Sequence, residues 1–142
     1  MMRLRRVGTR RLHFVKEANA SKRKALAVIA TLPITHLVVE VTPQRGGPPP
    51  RARGLVALAE WASSAGATAI VLERDPTEVE RDRRALFAGL SRTTSRTALG
   101  YRHADPEREP LLWIPDAVAW SWTRGGEWRR AVRGLGVSVM RL

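Results

Sequence analysis

GLVALAEWASSAGATAIVLE, residues 54–73, decides the fold class. Leu55, Leu58, Ala59 and Ala62 recur at helical spacing and form one apolar stripe, and Gly66 supplies a left-handed stop behind it. The period then changes. TAIVLE, residues 68–73, is a short apolar run with β-branched members, which reads as a buried strand. Upstream, THLVVEVT (35–42) is a second such strand with one charge, Glu40. A helix precedes it over SKRKALAVIATL (21–32), capped by Asn19 or Ser21 and stopped by Pro33. Arg11–Val15 (RLHFV) predicts a further strand, and QRGGPPPRARG (44–54) a loop. Downstream, Thr77 and Glu80 fit a capping box opening a helix through about Leu90. TALGYRH (97–103) reads as a strand, LLWIPDAVAWSW (111–122) as an apolar helix, GEWRRAVRGLG (126–136) as a short basic helix and VSVMRL (137–142) as a last strand. This alternation predicts an α/β layer with right-handed crossovers and partly parallel pairing. With no internal repeat and no second hydrophobic unit, it predicts one domain over residues 10–142 behind a basic segment, 1–9.

Composition bounds the function. At 142 residues and 44% apolar content the chain can bury a core, and 27% charged residues argue against wholesale disorder. The absence of cysteine excludes disulfides, thiolate zinc sites and thiol catalysis. No apolar run reaches the roughly 18–20 residues of a membrane span, so the expectation is a cytoplasmic protein without a membrane partner. The net charge is +12, from 25 basic and 13 acidic residues, and it is uneven. Residues 1–24 hold nine basic groups and one acid, Glu17. One reading is a nucleic-acid-binding arm whose expected phosphate contacts are Arg5, Arg6, Arg10, Arg11, Lys22, Arg23 and Lys24; the other is charge that serves solubility in an arginine-rich composition.

Four acids stand out against apolar surroundings. Glu73 ends a hydrophobic strand, and Asp75, two residues on, faces the same way if the backbone stays extended. Glu40 lies inside the other strand, where an unpaired charge would be costly. Asp116 interrupts the apolar run 111–122. Acids at strand ends and at a helix start can converge on Mg²⁺ or Mn²⁺, and such ions activate water for phosphodiester hydrolysis. The competing reading has Glu73 and Asp75 pair with Arg74, Arg81 or Arg83 while Asp116 caps its helix. His13, His36 and His103 are too scattered to suggest a metal site. Trp113 and Trp120, seven apart, share a helix face and suggest core packing. Trp122 and Trp128 stand beside Arg124, Arg129, Arg130 and Arg133, an arrangement that serves core or dimer packing or the stacking of bases.

RRLHFVKE (10–17), TAIVLERD (68–75), ERDRRAL (80–86) and EPLLWIPDAVAWSW (109–122) together resemble an actinobacterial family within the domain-of-unknown-function group number thirty-eight hundred. The likeness runs from about Arg10 to Gly134. It implies a ribonuclease-H-like or integrase-like mixed sheet flanked by helices, with an acidic, divalent-metal-dependent nuclease site. Under that resemblance Glu73 or Asp75 matches the acid on a later strand, and Asp116 the aspartate before the last apolar helix. Glu73, Asp116 and Asp75 are then the catalytic set, and Glu73, Asp116 and Glu40 the metal ligands. The family's first strand and its leading aspartate have no counterpart here, which leaves catalysis open and implies an exposed sheet edge suited to a homodimer. The alternative is a non-catalytic interaction protein, dimeric through Trp and Arg surfaces.

Overall fold

The computed structural model describes residues 14–92 and 99–142. The chain is mixed α/β, with helices α1 (Asn19–Ala30), α2 (Pro50–Ser64), α3 (Val79–Ser91), α4 (Trp113–Arg124) and α5 (Gly126–Arg133). The strands are β1 (Leu37–Glu40), β2 (Ala69–Glu73), β3 (Gly100–Ala104) and β4 (Ser138–Arg141). β2 and β3 pair in parallel, with Ala69 opposite Gly100 and Glu73 opposite Ala104. β1 pairs with β4 in a separate two-stranded sheet. There the Ser138 amide donates to the His36 carbonyl and the Leu142 amide to the Glu40 carbonyl, so these strands also run parallel. Among the described residues no helix is long and apolar enough to cross a membrane.

Where the sequence suggests one hydrophobic unit, the contacts divide into two: Met1–Val38 with Pro106–Val139, and Val39–Asp105 with Met140–Leu142. Each unit has its own core. The first gathers Phe14, Ile29, Trp113, Ala117, Trp122 and Val132, and the second Leu55, Ala59, Ile70, Ala85 and Leu86. Apolar stripes visible in the sequence specify that a face is buried without specifying against which other face, and here they sort into two sets.

Four local expectations change, the first at α1, which starts behind Ala18 with no side-chain cap, so neither Asn19 nor Ser21 caps it. The described part of the run 11–15 is not a strand: Phe14–Lys16 forms a 3₁₀ turn. Phe14 is fully buried and sets its ring edge-on to Trp120 at 5.3 Å, so helix packing takes up its side chain. The predicted loop 44–54 ends early, because Pro50 occupies the first turn of α2, where its missing N–H costs nothing. The predicted capping box does not form. The Thr77 hydroxyl donates back to Asp75 at 2.7 Å, and α3 starts behind Glu78 without a side-chain cap.

In the second unit, close helix contact needs one glycine. A Cβ on Gly89 of α3 would lie 2.6 Å from the Val56 carbonyl oxygen and 2.8 Å from the Ala59 Cβ of α2. In the first unit, Gly125 at φ +78° ends α4 and turns the chain into α5.

Candidate functional site

Parallel strands direct ligands to the crevice beyond their carboxyl ends. In the second unit that crevice is bounded by Glu73, Arg74, Asp75, Pro76 and Arg51, which line a cleft of about 340 Å³. Asp75 accepts hydrogen bonds from the Thr77 hydroxyl at 2.7 Å and the Thr77 amide at 3.0 Å. Those two bonds hold its carboxyl below the usual range. Glu40 stands elsewhere in this unit, its carboxylate 3.1 Å from Arg141 Nε. Asp116 is exposed in the first turn of α4, in the other unit. Among the described residues no three His, Asp or Glu side chains form a group able to hold a metal ion.

A cluster that the sequence reading missed lies beside this crevice. Asp82, on the inner face of α3, has a side chain only 1% exposed. Arg51, at the start of α2, clamps it: Nε donates to Oδ1 and Nη2 to Oδ2, each at 2.8 Å. His103 of β3 places Nε2 3.3 Å from Oδ2. The Arg51 bonds are the main reason the Asp82 carboxyl titrates below its ordinary range, against the opposing effect of burial. The same bonds raise Arg51. The signal was present in the sequence, because Asp82 falls on the stripe that buries Ala85, Leu86 and Gly89. An acid on a buried stripe requires a partner. His103 packs edge-on to Tyr101 at 5.8 Å and is 10% exposed, so the trio joins α2, α3 and β3 as an anchor rather than presenting a base to solvent.

The first unit carries the expected basic surface, with one correction. Lys22 is drawn into the core rather than standing on that surface. It is 6% exposed, with Nζ 4.0 Å from the Trp120 ring centroid and within 6 Å of those of Trp128 and Phe14. Its position on the inner face of α1, between Leu26 and the aromatic cluster, draws it inward. Arg23 and Lys24 are exposed, and Arg23 reaches Glu127 of α5 at 3.1 Å. Arg124, Arg130 and Arg133 are exposed as well. Trp122 and Trp128 are buried. Arg129 and Arg133 lie over the Trp122 ring at 4.9 and 5.6 Å, and Arg129 Nε donates to the Trp122 carbonyl at 2.7 Å. These tryptophans pack the core and leave no open ring for a base. Arg5, Arg6, Arg10 and Arg11 lie outside the described residues. Compared with known proteins, the chain matches no family model, no curated protein and no solved structure.

Proposed function

We propose that this protein binds nucleic acid through its phosphate backbone, using the cations of α1 and α5 together with the N-terminal arginines. The observation that carries the reading is the cation-rich surface of the first unit. Arg23, Lys24, Arg124, Arg130 and Arg133 are exposed on α1, the end of α4 and α5. Residues 1–13 add five arginines and no acid. Phosphate contacts of this kind supply affinity without sequence preference and depend steeply on salt. The burial of Trp122 and Trp128 favours backbone contact over base stacking.

The test is binding of a labelled DNA duplex across a salt series. Each phosphate contact contributes a slope of about −0.9 in log K against log salt. Arg130→Gln with Arg133→Gln should shrink the slope by up to about two units. Lys22→Gln, at a buried position, should leave it unchanged. A slope indifferent to Arg130 and Arg133 refutes the reading.

Ribonuclease-H-like ancestry with metal-dependent phosphodiester cleavage is the second reading. It is favoured by Glu73 and Asp75 lining one cleft with two arginines at the carboxyl end of β2. Glu73 and Asp75 would be the carboxylates of that cleft available to Mg²⁺ or Mn²⁺, with no third His, Asp or Glu grouped with them among the described residues. Cleavage of labelled RNA or DNA that is metal-dependent, and lost in both Glu73→Ala and Asp116→Ala, would support this reading over simple binding.

A further inference from the structure

We propose that the cleft between α2 and α3 binds a small amphipathic organic anion, an apolar body bearing a phosphate, sulfonate or carboxylate head. The two helices meet closely at Gly89 and leave beside that seam an open cleft of about 850 Å³. Ligand sites for organic molecules fall at roughly 300–1,000 Å³. Val56, Ala57, Ala85 and Ala88 line it with small apolar groups. The cleft carries no aromatic ring.

Its charged groups settle the sign of the ligand. Every side-chain carboxylate in the cleft is already matched: Asp82 by Arg51 at 2.8 Å, Glu78 by Arg81 at 3.4 Å and Glu60 by Arg92 at 3.7 Å. Among the described residues, Arg53 and Arg84 line the same cleft with no side-chain carboxylate within ion-pair distance, the carboxyl-terminal Leu142 lines it too, and Arg53 donates Nη1 to the Thr42 carbonyl at 2.6 Å. Two guanidinium groups beside an apolar floor reject a cation and leave a neutral apolar molecule without its counter-charge. An anion with an apolar body satisfies both surfaces, since guanidinium forms short charge-assisted bonds to planar and tetrahedral oxyanions. A nucleic-acid strand suits it poorly, because its five arginines face three side-chain carboxylates and the carboxyl-terminal Leu142, a small excess of cations, and none of its lining residues offers a ring for a base to stack on.

The experiment uses the full chain and two fluorescent probes of similar apolar shape. 1-Anilinonaphthalene-8-sulfonate carries the anionic head, and N-phenyl-1-naphthylamine lacks it. The sulfonate should bind at a single site, and the neutral probe about tenfold or more weakly. Arg53→Gln with Arg84→Gln should weaken the sulfonate by about tenfold and leave the neutral probe unchanged. Ala57→Phe, at a half-exposed position, should fill the cleft and weaken both, with its denaturation midpoint verifying the fold. Equal affinity for the two probes, or sulfonate binding indifferent to Arg53 and Arg84, overturns the proposal. Pelleting with phosphatidylglycerol vesicles that depends on those arginines also overturns it, in favour of a membrane surface.

Discussion

The Arg51–Asp82 clamp should respond unequally to loss of its two ends. Asp82 is 1% exposed and Arg51 50% exposed, so water can rescue only one of them. Arg51→Met strips two 2.8 Å bonds from a carboxylate left with His103 alone. Removing one partner of a buried pair in this way costs about 3–5 kcal/mol, because the remaining charge is uncompensated. Asp82→Asn leaves a guanidinium that rehydrates, and the amide oxygen still accepts one bond. Its cost should stay near the worth of charged hydrogen bonds, about 1.5–3 kcal/mol. Arg51→Met with Asp82→Leu replaces the pair by apolar groups and should recover much of the loss, since such exchanges are often neutral. Urea unfolding of the three variants at pH 7 measures the order. Acid adds a second signature. Without Arg51, burial opposes the Asp82 anion and His103 alone supports it, so protonation of the carboxyl should relieve part of the penalty and shrink the cost of Arg51→Met between pH 7 and pH 4. A costlier Asp82→Asn, or a double variant whose loss equals the sum of the singles, refutes the view of Asp82 as the buried, dependent partner.

In the intact protein, the depressed Asp82 titration means its contribution is complete above the unfolded carboxylate value of about 3.9. That contribution should be lost as pH falls through the lower folded value, and acid unfolding followed by circular dichroism would register it. Gly89→Ala gains about 1 kcal/mol in helix propensity but drives a Cβ to 2.6 Å from the Val56 carbonyl, and overpacking costs about 1–3 kcal/mol. A net loss on thermal unfolding is expected, and a raised midpoint would mean that α2 and α3 do not touch there. Deleting residues 1–9 removes Arg3, Arg5 and Arg6 and should reduce the salt slope of DNA binding by up to about three units. An unchanged slope would exclude that segment from the interface. Among the described residues both sheets are two-stranded, so each strand has an outer edge on which no described strand pairs, and such an edge can pair with a second copy. Light scattering at 0.15 M salt should then give twice 15.8 kDa, and a monomer mass would show that these edges are protected.

What the sequence determined by itself was local. The stripe through Leu55, Ala59 and Ala62 and the run ending at Glu73 lie in α2 and β2 as their periods require, because helix and strand periodicity involve residues only a few positions apart. Charge excess, the basic character of α5 and the break near Gly125 were legible for the same reason. Tertiary structure decided the rest. The clamp joins Arg51 to Asp82 across 31 positions and Asp82 to His103 across 21, and Glu40 meets Arg141 across 101. Nothing in the local pattern of any one segment names such a partner. Lys22 looked like one more cation of a basic run until the aromatic cluster of Phe14, Trp120 and Trp128 closed around it. The apolar stripes likewise marked which faces are buried, but their division between two cores depended on which faces meet in space. The spacing of apolar residues in one segment marks the face it will turn inward, whereas the partners that bury that face or pair with a charge on it are brought together only in the folded chain.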